Sequence, residues 1–128
     1  MGEAGVVAIF SEKMLKGEAT RVFGDGNQTR DFVYVADIVE ANLRADKVED
    51  AFSLFHIGSG LQTSVNKLHR GMSEIAGYQL KPAYAESRVG EQMRSCLDAS
   101  SFAKRTAWAA RTNIQDGLKQ TLDYFRSK

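Results

Sequence analysis

Apolar residues recur at three- and four-residue intervals in several stretches of this chain, and glycines or capping residues bound each stretch. Val6, Ile9, Phe10 and Met14 keep helical spacing up to Lys16-Gly17, where glycine can close the helix. Ile38, Ala41 and Ala45 repeat that spacing, with Val39 and Leu43 beside them. Asp37-Ile38-Val39-Glu40 has the form of a capping box, so Asp37 reads as a helix cap rather than a catalytic acid. Thr63 or Ser64 caps a third helix, whose face is Val65, Leu68, Met72, Ile75 and Ala76 and which Gly77 ends. Asp98 or Ser100 starts a brief helix through Phe102 to Arg105. Asn113 caps the last helix, with Ile114, Leu118, Leu122 and Phe125 on one stripe.

Other segments carry strand chemistry. Thr20 to Phe23 predicts a short strand leading into Gly24-Asp25-Gly26-Asn27, a cluster built for chain reversal. The aromatic and β-branched run Phe32-Val33-Tyr34-Val35 predicts a buried strand. Phe52 to Ile57 predicts another, stopped by Gly58-Ser59-Gly60. Leu80 to Tyr84 predicts a strand entering an irregular loop, and Arg94 to Leu97 a short extended piece. Helices and short strands alternate, so the class is α/β (mixed α+β), in a single domain over residues 1–128. The first five residues are small and frayed.

Composition narrows the function classes. Lys and Arg number 17 against 16 Asp and Glu, a net charge of +1, and no basic stripe is present, which argues against nucleic-acid binding. No apolar run approaches the ~20 residues of a membrane span, and the N-terminus lacks a signal peptide's charged and apolar regions. Cys96 is the single cysteine, which fits a reducing, cytoplasmic setting. Neither histidine has a partner at metal-ligand spacing, so no zinc site is expected. His56 reads as a packed residue within an apolar strand, and His69 as lying on the polar side of its helix.

The candidate chemistry lies near the glycine turn and in one later loop. Arg30, beside Asp31 at the mouth of the turn, forms either a surface ion pair with Asp31 or Glu91 or a bidentate grip on a phosphate. Arg88-Val89-Gly90-Glu91 is a second charged cluster, which on its own reads as a solvated loop. Gln28 and Thr29 either shape the turn or approach a ligand.

The run from Gly24 to Asp37 reads Gly-Asp-Gly-x-x-x-Arg-Asp-aromatic-x-x-Val-x-Asp. It resembles the substrate-binding lobe of nucleotide-sugar epimerases and dehydratases in the extended short-chain dehydrogenase/reductase family. The resemblance implies that Arg30 and Arg88 converge on the diphosphate of a UDP- or dTDP-sugar, and that Glu91 accepts hydrogen bonds from the ribose hydroxyls. It places Arg21, Val22 and Phe23 on the strand that reads the base, largely through backbone groups. Trp108 matches a tryptophan of the family's C-terminal segment, with Ala107 where glycine is usual.

The resemblance spans the whole chain but only the C-terminal two-fifths of a family member. The full enzymes hold NAD(P) on a Rossmann lobe and react through a Tyr-x-x-x-Lys pair. Gly24-Asp25-Gly26 has no third glycine in the dinucleotide pattern and leads toward a strand. Only Tyr124 and Lys128 have the pair's spacing, and they lie at the end of an amphipathic helix with no serine in the family context. The expectation is a nucleotide-sugar-binding lobe without a cofactor of its own and without catalysis alone, whether cut from a longer enzyme or naturally truncated. The alternative is a non-enzymatic module. In either case the uncovered edge of the Phe52–Ile57 strand predicts a homo-oligomer.

Overall fold

The helical spacing between Val6 and Met14 forms α1 (Val6–Leu15), which buries Phe10, Ser11 and Met14. In the computed structural model, which describes residues 5–49, 52–90, 93–94 and 98–128, the chain divides into two compact units. Unit 1 comprises the chain up to Gln28, Ser64–Met93 and Leu118–Lys128; unit 2 comprises Thr29–Thr63 and Arg94–Gly117.

Unit 1 is built on α1, β1 (Arg21–Phe23), α3 (Val65–Ala76), β4 (Ala83–Ala85) and most of α5 (Ile114–Arg126). α3 is the best-specified element. Ser64 Oγ accepts the Lys67 N–H at 3.1 Å, Val65, Leu68 and Met72 are buried, and Gly77 closes the helix in the left-handed conformation. Leu118 and Leu122 of α5 add to this core, as do Val22 and Tyr78.

The third helix also corrects the expectation for His69, which is buried rather than on a polar face. Its Nε2 lies 2.7 Å from Thr20 Oγ1 and its Nδ1 3.3 Å from Ser73 Oγ. The ring stands edge-on to Phe10 and Tyr78, at centroid distances of 5.0 and 6.0 Å. Hydroxyl partners made this burial affordable, and spacing alone did not show them. Burial lowers the imidazole pKa below its ordinary 6.5. The neutral ring is therefore favoured in the fold. Its contribution to stability is complete above pH 6.5 and is lost as pH falls toward the lowered folded value. Urea midpoints are expected to drop between pH 7.5 and pH 5, and His69→Gln should flatten that part of the profile.

Unit 2 contains β2 (Thr29–Arg30), α2 (Val35–Ala45), the start of β3 (Thr63–Ser64) and α4 (Ser100–Thr106). β2 pairs with β3 in a two-stranded sheet. Its core gathers Ala41, Phe102 and Trp108, with Phe55, Ile57, Ala99 and Ala110 packed against it. Arg44 bridges α2 and the end of α4, donating to Glu40 Oε1 at 2.8 Å and to the Thr106 carbonyl at 2.6 Å.

Several expectations are corrected here. Phe32 to Val35 is not a strand: Thr29–Arg30 takes the ladder, and the helix begins at Val35 behind Tyr34. Asp37 is consequently the third residue inside α2 and not its cap. Its carboxylate accepts the Thr112 N–H at 3.0 Å, and its carbonyl accepts Trp108 Nε1 at 2.9 Å. Phe52 to Ile57 forms no strand, because a ladder needs a neighbour that apolar composition does not supply. Phe52 and Leu54 are 84% and 76% exposed, and His56 is exposed rather than packed. The strand expected at Leu80–Tyr84 forms later, over Ala83–Ala85. Cys96 and the remainder of the piece expected from Arg94 to Leu97 lie outside the described residues.

Ala107, at the C-terminus of α4, has φ 58°, the one non-glycine in the left-handed region among the described residues. A side chain there costs about 1–2 kcal/mol, and glycine's greater unfolded entropy returns about half of that. Ala107→Gly is therefore expected to stabilise the chain by roughly 0.5–1 kcal/mol in urea denaturation. No helix among the described residues is long and apolar enough to cross a membrane.

Candidate ligand cleft

β1 and β4 run parallel, with Arg21 opposite Ala83, Val22 opposite Tyr84 and Phe23 opposite Ala85. Parallel strands end on the same side, so the glycine turn after β1 and the loop after β4 leave the sheet together. Such carboxyl ends are where α/β sheets receive ligands. The Gly24 N–H donates to the Ala85 carbonyl at 2.8 Å and carries the pairing one residue past the strand. Beyond it opens a cleft of about 410 Å³. Phe23, Gly24, Asp25 and Gln28 line one side, and Ala85 to Arg88 with Met93 line the other.

The turn is held internally. The Asn27 N–H donates to Asp25 Oδ1 at 2.9 Å. Gln28 is buried and its Nε2 donates to the Phe23 carbonyl at 2.9 Å, so it braces the turn while also lining the cleft. Thr29, in unit 2, donates from Oγ1 to Gln62 Oε1 at 2.8 Å.

Arg88 is exposed, with its guanidinium carbon 4.0 Å from the centre of the Phe23 ring. This cation–π stack joins the two sides of the cleft and leaves a permanent cation at its mouth. Phe23 is thus a half-buried platform and not simply a core residue. Val22 is buried behind it, and Arg21 faces solvent. Glu91 lies outside the described residues.

Arg30 belongs to unit 2, where it is half-buried in β2 and donates from Nη1 to the Thr29 carbonyl at 2.7 Å. Its neighbour Asp31 accepts the Ser59 and Gly60 N–H groups, each at 3.0 Å, and so fastens the Gly58–Gly60 loop to the strand. The cleft in unit 1 also uses Ser87 and Met93, which sequence reasoning missed because nothing local distinguishes them. Tyr124 and Lys128 make a stack at the end of α5, with Nζ 5.3 Å from the Tyr124 ring and 5.1 Å from that of Phe125.

Residues 2–58 match the family model for the NAD dependent epimerase/dehydratase family. A UDP-glucose 4-epimerase of Mycolicibacterium smegmatis is 39% identical over 99% of this chain and 41% of its own length. The structure resembles that of the Thermotoga maritima UDP-glucose 4-epimerase with UDP-glucose. Its TM-score is 0.94 at 45% identity, over 98% of this chain and 40% of that one. It also resembles the UDP-N-acetylglucosamine 4-epimerase of Methanobrevibacter ruminantium in complex with UDP-N-acetylmuramic acid. There the TM-score is 0.92 at 25% identity, over 99% of this chain and 41% of that one. The chain therefore spans about two-fifths of the length of these relatives.

Proposed function

We propose that this chain, which resembles the NAD dependent epimerase/dehydratase family over about two-fifths of its relatives' length, is the C-terminal part of such an enzyme and the part that binds the nucleotide sugar. The observation that carries the reading is Arg88 stacked on Phe23 where β1 and β4 end together. Arg88 thereby puts a permanent, planar cation at the ends of both strands, the charge and shape that suit a diphosphate. In this reading backbone groups of Arg21, Val22 and Phe23 meet the base and Glu91 meets the ribose. Arg30 is proposed as a phosphate contact from its place in the Gly24–Asp37 pattern alone. The Thermotoga relative was solved with UDP-glucose, which makes that the ligand to test first. No hydride transfer is assigned to this chain alone; NAD(P) belongs to the reading of a complete enzyme. The single cysteine supports a cytoplasmic setting.

Calorimetry with UDP-glucose tests the proposal. Weak binding is expected for the chain, and Arg88→Ala and Arg30→Ala should each lower the affinity about tenfold or more, the worth of a charge-assisted hydrogen bond. Heats identical to wild type in both variants would reject these arginines as ligand contacts.

One observation favours a second reading, a self-associating module with no ligand. Unit 2 exposes Val35, Val39 and Leu43 along α2, as well as Phe52 and Leu54. Apolar groups on this scale call for cover. Sedimentation of the same samples separates the readings: a concentration-dependent mass without any UDP-glucose heat supports the module.

A further inference from the structure

We infer that Asn66, at the start of α3, is the positioning residue that fixes the cleft's glycine turn before any ligand arrives. Its amide makes three side-chain hydrogen bonds. Nδ2 donates to the Asp25 carbonyl at 2.9 Å and to Asn27 Oδ1 at 3.2 Å, while Oδ1 accepts the Tyr84 hydroxyl at 2.9 Å. The orientation is dictated by chemistry, since the nitrogen faces two acceptors and the oxygen faces a donor. One side chain thereby joins the turn after β1, the strand β4 and the first turn of α3.

The helix backbone reinforces the same docking. The Asn66 N–H donates to the Gly26 carbonyl at 3.0 Å, and the Val65 N–H donates to the Gln28 carbonyl at 3.1 Å. The Lys67 N–H is taken by Ser64 Oγ. The N–H groups that open a helix are commonly available to an anion, but here two are spent on the turn and the third on the Ser64 cap. The start of α3 is therefore an anchor and not a phosphate site. Gly26 fits the anchor because it has no Cβ: one built there would collide with the Asn66 amide.

Asp25 and Gln28 line the cleft from this turn, and Gln28 ties it to Phe23, which carries Arg88. Asn66 is not itself a lining residue of the cleft and reaches the lining only through its bond to the Asp25 carbonyl, so its effect runs through the turn. A wall held in one geometry binds without the cost of ordering it first.

The consequence for affinity rests on the nucleotide-sugar reading; the consequence for the turn does not. The experiment compares wild type, Asn66→Ala and Tyr84→Phe in the full chain, by amide hydrogen exchange without ligand and by UDP-glucose calorimetry. Asn66→Ala is expected to speed exchange at Gly26 and Asn27 at least fivefold and to leave Leu68 and Met72, deep in α3, within twofold. UDP-glucose affinity should fall about tenfold. Tyr84→Phe should give a smaller loss of the same kind. Unchanged exchange in the turn overturns the inference, as does a loosened turn with undiminished affinity. A loosened turn in a chain whose wild type binds no UDP-glucose supports the turn's dependence on Asn66 and overturns the nucleotide-sugar reading instead.

Discussion

Trp108→Ala is expected to cost about 3–5 kcal/mol, the range for losing a buried large aromatic. Trp108 is 2% exposed, and its ring meets Phe102 at 5.9 Å in the centre of unit 2. Its indole N–H donates to the Asp37 carbonyl across the core at 2.9 Å, and the Asp37 carboxylate returns to the same segment through the Thr112 N–H. Volume and hydrogen bond can be separated. Trp108→Phe keeps most of the ring and removes the donor, so a loss of about 1–3 kcal/mol is expected from the missing hydrogen bond and the residual void. Urea denaturation followed by circular dichroism reads both variants. A Trp108→Ala loss below about 1 kcal/mol would show that unit 2 does not depend on this packing.

What the sequence made legible follows the range of the forces involved. α3 was readable at both ends because its cap at Ser64, its stripe and its stop at Gly77 are all local. The Asn113 cap of α5 was readable for the same reason: its Oδ1 takes the Asp116 N–H at 2.8 Å. Strands were harder. The apolar runs at Phe32–Val35 and Phe52–Ile57 have strand composition, yet the ladder formed at the polar Thr29–Arg30, because pairing depends on a distant partner. Asp37 illustrates the same competition within a helix. Its spacing suits a cap, but tertiary donors from Trp108 and Thr112 hold it inside the first turn.

The site divides in the same way. The turn Gly24–Asn27 was legible from glycine and Asx chemistry, and the family pattern picked out Arg88. That Arg88 would lie on Phe23 was not legible, since the parallel register of β1 and β4 creates the stack. Asn66 was not legible either. Its partners come from two other segments, and an asparagine in a first helical turn is ordinary by itself.

The second large effect is expected at Gly26, where two costs coincide and can be pulled apart. Its φ is 78°, so any side chain carries a backbone penalty of about 1–2 kcal/mol. A Cβ there also runs into the Asn66 amide, and overpacking of a held group costs about 1–3 kcal/mol. With glycine's unfolded-state entropy offsetting about 0.5–1 kcal/mol of these costs, Gly26→Ala should destabilise the chain by about 1–4 kcal/mol. Asn66→Ala removes the obstacle but not the backbone strain. In the double variant the collision has gone, so the combined loss should be smaller than the sum of the single losses by about 1–2 kcal/mol. Asn66 and Gly26 are then a matched pair, the amide reaching across the turn only because the facing residue has no side chain. Strict additivity in urea denaturation would mean that the turn yields to the methyl group by moving, and that Asn66 does not hold it.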